Sequence, residues 1–316
     1  MPASGKFDLT RSAKMQTAIE RIKRFAASRA PLFFAGERGV GKDEAVSFAH
    51  ARSLRADKAL HTVNCPELTA TLKSELFGHV KGAFTGAVGE SNGLLRAADG
   101  GSLYLAEALS LPLELQSALL NVLDDKAGCR VGSTRRESYD FRLIAASRLD
   151  PKELINRGDL LQDYLDRIAV LVVEIPPLRE RMEDLPALVD ALLERAGYQS
   201  SFERSFSNDA RKKMLDYDWP GNVRELDVVV QRICAFAGAG RVEAEHIERN
   251  ADIPWFAGVY AKSDEAVIGK PKRGRRSKHP LDDIRRARQL RKEGATLKEV
   301  TQKTGIPRST ASSLTR

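Results

Sequence analysis

At 316 residues the chain has room for about two domains, and 42% hydrophobic with 30% charged residues describes a globular protein, not a disordered or fibrous one. It holds no apolar run of about 18 residues, no apolar leader behind Met1, and no CxxC pairing among Cys65, Cys129 and Cys234, which excludes a membrane protein, a secreted disulfide scaffold and a cysteine zinc site, and leaves a cytoplasmic protein with reduced thiols as the expectation. Net charge is +8, yet Lys270–Arg316 holds 15 Lys/Arg against 4 Asp/Glu, or +11, so the first 269 residues carry −3.

Ser12–Ala27 places Met15, Ala18, Ile19, Ile22, Phe25 and Ala26 at helical spacing and predicts an amphipathic helix. Pro31–Ala35 is a short apolar run of the kind found in buried parallel strands. Gly36-Glu37-Arg38-Gly39-Val40-Gly41-Lys42-Asp43 follows it with P-loop spacing. There the glycines let backbone N–H groups wrap phosphates, Lys42 reaches the terminal ones, and the next helix adds its positive N-terminal end. ATP with magnesium is the cofactor expected, Asp43 standing where a P-loop has its metal-binding Ser or Thr. Arg38 sits where a small residue is usual.

His61–Cys65 reads as a second strand, and Asn64 near its end can satisfy local backbone. Glu75–Ala87 reads ELFGHVKGAFTGA, whose second half is Gly82-Ala83-Phe84-Thr85-Gly86-Ala87. Glycines flanking a lone aromatic allow a tight reversal, giving either a loop tip that offers Phe84 to a partner or a core turn that packs it inward. Gly100–Glu107 is an apolar run ending in Ala106-Glu107. Leu111–Leu123 is expected to be helical, and Phe141–Ser147 another buried strand followed by Arg148. Gly158–Val170 reads GDLLQDYLDRIAV, and Pro176-Pro177-Leu178-Arg179-Glu180-Arg181 marks a junction. Beyond it, helices are predicted over about Met182–Ala196, Asn208–Tyr217 and Val223–Ala237, with Trp219-Pro220-Gly221-Asn222-Val223-Arg224-Glu225-Leu226 between the last two. Asn222 is placed to cap the last helix, leaving Arg224 one step inside to face a phosphate.

Ala251–Pro280 reads as a linker ending in a basic arm that contains Arg273, Arg275 and Arg276 and can lie in a minor groove. Thr296–Thr304, Gly305-Ile306-Pro307 and Arg308–Leu314 give helix, turn, helix, with Arg308, Ser309, Thr310 and Ser312 on the polar face of the second helix. An acidic body with this basic end points to DNA as a partner; a solvated tail or a structural helical hairpin is the other reading.

ELFGHVKGAFTGA resembles the signature loop with which bacterial enhancer-binding proteins of the AAA+ class touch the sigma-54 factor of RNA polymerase; all six residues of the GAFTGA core are present. The resemblance spans about residues 8–250. It implies an α/β AAA+ domain, a parallel sheet with helices on both faces, over 8–178, and an all-α lid over 179–250. A basic linker (251–280) and a helix-turn-helix domain of recombinase or Fis type (281–316) would follow. Members often carry an N-terminal receiver or ligand-binding domain, for which this chain leaves no room. By resemblance Glu107 polarises the attacking water, Asn64 reports nucleotide state to the loop, Arg224 is a sensor residue, and Arg167 reaches the neighbouring subunit's nucleotide. The partners implied are the sigma-54 factor, DNA, and either copies of this chain in a ring or a related AAA+ protein, with no membrane. Two positions depart from the pattern: Ala106 replaces the metal-holding aspartate, and Leu161 replaces the first of two trans arginines. Arg148 is also unusual at a polar sensor position. The expected function is a sigma-54-dependent regulator with an impaired ATPase. A hydrolysis-deficient DNA-binding partner is the alternative, and a recombinase-associated DNA-mobility ATPase fits the intact loop less well.

Overall fold

The structure, a computed structural model, describes residues 10–65, 72–198, 201–237, 242–243, 245 and 296–304. It divides into a unit over Met1–Ala257 and a second over Gly258–Arg316. The first unit begins with α1 (Ala13–Ala26), β1 (Leu32–Ala35), α2 (Lys42–Ala51), β2 (Leu60–Asn64), α3 (Leu72–Phe77) and α4 (Gly93–Ala97). Next come β3 (Ser102–Ala106), α5 (Leu113–Asp125), the hairpin β4 (Ala127–Cys129) and β5 (Arg136–Ser138), and β6 (Arg142–Ser147). Then α6 (Pro151–Arg157), α7 (Gln162–Ile168) and β7 (Leu171–Glu174) complete the α/β part.

The five long-range strands form one parallel sheet in the order β2-β3-β6-β1-β7. Strand residues alternate between faces, and here both faces are apolar. Phe34, Tyr104, Ile144 and Val173 point to one side and pack with Met15, Ile19 and Ile22 of α1 and Val46 and Phe48 of α2. Phe33, Leu103, Leu105 and Leu143 point to the other, against Leu119, Val122 and Leu123 of α5 and Tyr164 and Ile168 of α7. That two-sided burial is why these strands read as continuous apolar runs. Each fully buried side chain such as Phe34 or Ile22 contributes about 2 kcal/mol.

A third apolar cluster holds the helices after the junction: α8 (Leu185–Arg195), α9 (Phe202–Ser205), α10 (Asn208–Asp216) and α11 (Asn222–Ala237). Val189, Leu193, Phe202, Phe206, Met214, Trp219, Leu226 and Val230 are its centre. In the second unit α12 (Leu297–Thr304) is described. Thr296 Oγ1 accepts from the Glu299 N–H while Glu299 accepts from the Thr296 N–H at 2.7 Å, a reciprocal cap that sets where this helix starts.

The segment before α1 is pinned to the turn that enters α8. Buried Asp184 accepts from Thr10 Oγ1 at 2.5 Å, from the Arg11 N–H at 2.6 Å and from the Ser12 N–H at 3.1 Å. Asp184→Ala strands those donors, so unfolding free energy in urea should fall by about 3 kcal/mol; a variant as stable as the parent would show that the segment is not held this way.

Candidate functional site

Parallel strands bring their carboxyl ends to one edge of the sheet, and Lys42, Glu107 and the Arg148 N–H meet there. Ala35 at the end of β1 lies beside Ser147 of β6, and the Gly36 N–H donates to Ser147 O at 3.3 Å. Lys42 opens α2. Its buried ammonium donates to Gly36 O at 2.8 Å and Glu37 O at 3.0 Å, and stands 3.7 Å from Glu107 Oε1. Burial pushes the Lys42 pKa down and Glu107 and Asp43 oppose that, while nearby Arg148 adds to it. Glu107 follows β3 in the left-handed region, φ 54°, at a cost of about 1 kcal/mol for a non-glycine residue. Its Oε2 accepts from the Arg148 N–H at 3.1 Å. Asn64 is exposed at the end of β2, in register with Ala106, and among the described residues no hydrogen bond joins it to Glu107.

The loop from Glu37 to Val40 is tied residue by residue to the junction and lid. Glu37 makes a two-pronged ion pair with Arg179, at 2.8 and 2.5 Å. Asn222 Nδ2 donates to Glu37 Oε2 at 3.1 Å and to Arg38 O at 3.0 Å. The Arg224 N–H donates to Gly39 O at 3.3 Å, and Arg181 donates to Val40 O at 2.7 Å. Gly39 has no alternative: its φ is +78°, and a Cβ there would lie 2.4 Å from Gly221 O. The expectation that Asn222 caps α11 is corrected here. Asn222 is wholly buried at φ 55°, and its Oδ1 accepts from the Leu178 N–H at 2.7 Å. Glu225, one turn on, takes the Gly221 N–H at 2.8 Å instead. Arg38 itself is exposed on the loop.

Two further departures have a structural setting. Tyr104 and Ala106 stand two apart on β3 and so share a face, and the Tyr104 hydroxyl donates to Asp43 Oδ1 at 2.7 Å. Burial and the Asp43 carboxylate push that phenol well above its ordinary pKa. Leu161 packs against the main core, and its N–H donates to the buried Gln116 side chain at 2.9 Å. Arg167, on α7, is half exposed and ion-paired with Asp124 of α5. Tyr104, Arg179, Arg181 and the bridging role of Asn222 are what the sequence reading missed. The alternation that puts a hydroxyl-tipped residue on the face of Ala106 was the available signal for Tyr104.

A second feature is the loop between α3 and α4. Its base is fixed by paired His79 and Ser91 N–H···O bonds of 2.9 Å and by Val80 and Gly78 bonded to Val131. The tip closes on itself, the Gly82 N–H donating to Ala87 O at 3.0 Å, with Gly82 and Gly86 at φ +80° and +101°. Phe84 is 41% exposed and rests edge-on against His79 at 5.1 Å, while Thr85 is exposed and Ala87 buried. Ala83 is partly covered. Of the two readings of this stretch the loop tip is observed, with Phe84 steadied by the motif's own histidine. Arg273, Arg275, Arg276, Arg308, Ser309, Thr310 and Ser312 lie outside the described residues.

The Arg179 guanidinium holds the Glu37 carboxyl below its usual pKa, with Asn222 adding to it against the effect of burial. A carboxyl lowered on folding stabilises the native state above its ordinary pKa, and the contribution fades as pH falls through the lowered value. The stability gap between the parent and Glu37→Gln should therefore be constant at neutral pH and close as pH drops well below about 4; a gap that is flat across this range in urea titrations would contradict the pairing.

Residues 9–174 match the family described as the Sigma-54 interaction domain, and residues 179–260 match the AAA+ ATPase lid domain. The alginate biosynthesis transcriptional regulatory protein AlgB of Pseudomonas putida is 42% identical over 238 residues, 75% of this chain and 53% of AlgB. Regulatory protein LuxO of Vibrio vulnificus is 37% identical over 74% of this chain and 52% of its own length. The chain thus spans about half the length of these relatives. Among solved structures, Brucella abortus NtrX in complex with ATP superposes with a TM-score of 0.68 at 26% identity, covering 97% of this chain and 68% of NtrX. With sheet, lid and loop as described, the chain belongs to the sigma-54 interaction domain family of AAA+ transcriptional regulators.

Proposed function

We propose that this chain is a sigma-54-dependent transcription regulator that binds ATP in its P-loop and offers Phe84 and Thr85 to the sigma-54 factor. In this reading it reaches DNA through Lys270–Arg316 and works in the cytoplasm as a ring of copies of itself or together with a related AAA+ protein. The observation that carries the reading is the loop tip: an aromatic and a hydroxyl held outward on a self-closed turn whose base is pinned to the sheet domain. An outward Phe84 has a solvation cost that contact with a partner removes.

ATP fits the P-loop. Lys42 points back at the carbonyls of Gly36 and Glu37, α2 directs its N-terminus to the same loop, and Arg224 of the lid donates its N–H to Gly39 O. NtrX, solved with ATP, supports that ligand. Glu107 would orient water at the terminal phosphate once Lys42 turns to the nucleotide, and Arg167 would leave Asp124 to reach the next subunit. Magnesium, expected with Asp43 as anchor, would neutralise phosphate charge when bound; Asp43, exposed in the first turn of α2 with one carboxylate oxygen bonded by Tyr104, is the residue placed to hold it. Position 106 offers a methyl group, Asp43 accepts from Tyr104, and Glu107 is engaged by Lys42 and the Arg148 N–H. Among the described residues no cluster of three His, Cys, Asp or Glu could hold a metal. The alternative of a hydrolysis-deficient heteromeric partner draws its support from Ala106 and from Leu161, which is built into the core.

Sigma-54 capture tests the central contact. Phe84→Ala and Thr85→Ala should each lower retention of purified sigma-54 by about tenfold or more while leaving the circular dichroism spectrum and melting temperature unchanged. Folded variants that still capture sigma-54 as the parent does would end this reading.

A further inference from the structure

Tyr104 is a core side chain with a polar tip. It stands in the middle of β3, only 4% exposed, in one apolar cluster with Ala45, Val46 and Ala49 of α2 and Ile144 of β6. A phenylalanine would fill the same space, whereas a buried phenol costs stability unless its O–H is bonded. That bond runs to Asp43 Oδ1 at 2.7 Å.

Asp43 is of the opposite character. It lies in the first turn of α2, directly after Lys42, and is exposed. The Tyr104 hydroxyl takes one of its oxygens, and among the described residues the other carries no hydrogen bond or ion pair. An exposed aspartate at a helix start ordinarily samples several rotamers or folds back on its own backbone. Here a ring clamped in the core holds one oxygen in place, and so limits where the other can go.

The strand that supplies this hydroxyl is also the one on which the resemblance implies a metal-holding aspartate, at Ala106. Tyr104 and Ala106 share a face of β3, the face that packs with α2. A methyl group offers no oxygen. Magnesium takes only one or two carboxylates, the rest of its octahedron coming from phosphate and water, so a single well-held carboxylate on α2 is sufficient. Carboxylates that bind metals are themselves held by hydrogen bonds, and removing such a partner typically costs about 10–100-fold in metal affinity.

We propose that Tyr104 is a positioning residue for the cation that accompanies the nucleotide: its hydroxyl holds one oxygen of Asp43 and leaves the other to bind the divalent ion that position 106 cannot hold. The inference rests on the reading of the P-loop as a nucleotide site and deepens it, giving the metal anchor to a strand–helix pair in place of a strand carboxylate.

Manganese(II), a magnesium substitute visible by electron paramagnetic resonance, tests it when titrated into the full chain held in excess over the hydrolysis-resistant ATP analogue AMPPNP. Tyr104→Phe keeps the ring and removes only the hydroxyl. It should weaken manganese binding by about tenfold or more, yet leave AMPPNP affinity in EDTA within about threefold of the parent, a split that a merely structural role would not produce. Asp43→Asn, at an exposed position, should weaken manganese at least as much. Manganese affinity unchanged in either variant, or no manganese bound by the parent's nucleotide complex, would overturn the inference while leaving the nucleotide site standing. Equal losses of manganese affinity and of EDTA affinity in Tyr104→Phe would overturn it too, because the hydroxyl would then shape the loop and not the anchor. A parent that binds no AMPPNP with or without metal would remove the nucleotide site and this inference together.

Discussion

Glu37, Arg38, Gly39 and Val40 each give a side chain or carbonyl to a residue of the junction or the lid: Arg179, Asn222, Arg224 or Arg181. A P-loop is a strip of backbone whose N–H groups must converge inward, so its carbonyls necessarily turn outward and need partners. In this chain Asn222, Arg224 and Arg181 provide them for Arg38, Gly39 and Val40, and Lys42 meets those of Gly36 and Glu37. These bonds join the loop directly to the lid, so under the proposed nucleotide binding a force on the loop would be felt by the lid. Asn222 is central, since one fully buried side chain bridges Leu178, Glu37 and Arg38.

On the opposite side of the cradle the sheet supplies Glu107 and Arg148 from the ends of adjacent parallel strands β3 and β6. Glu107 is in a left-handed backbone conformation and held between a lysine and an N–H donor. Such strain persists only where the surroundings over-determine it, and a carboxylate with two partners satisfies that condition. The loop carrying Phe84 grows from the same domain through α3 and α4, on a base pinned by backbone pairs to His79, Val80 and Val131. Rigidity at the base with exposure at the tip suits a contact element, because little ordering entropy remains to be lost on binding.

Much of the fold was legible because its strands are buried on both faces and its helices keep strict spacing; β1, α1, α5 and β6 fall within about two residues of the expected ends, where terminal fraying sets the limit. The P-loop and the GAFTGA stretch were legible for a different reason, since glycine spacing records backbone conformation directly. What escaped were long-range polar contacts. Nothing local in Asn222 distinguishes a helix cap from a bridge 185 residues away in sequence to Glu37. Arg179 and Arg181 looked like part of a charged junction, yet they close on Glu37 and Val40. Tyr104 reaching Asp43 required the sheet register, which places β3 beside β6 and not beside β1.

Positions 106 and 161 decide whether the proposed regulator hydrolyses ATP, and ATP turnover by the unaltered full chain, with and without sigma-54, measures this most directly. With Ala106 and Leu161 standing where the resemblance implies a metal-holding aspartate and a trans arginine, turnover should lie at least about 10²-fold below that of a relative retaining both, even at saturating nucleotide. Hydrolysis at the relative's rate would contradict the account and show that Asp43 and Arg167 suffice for the site.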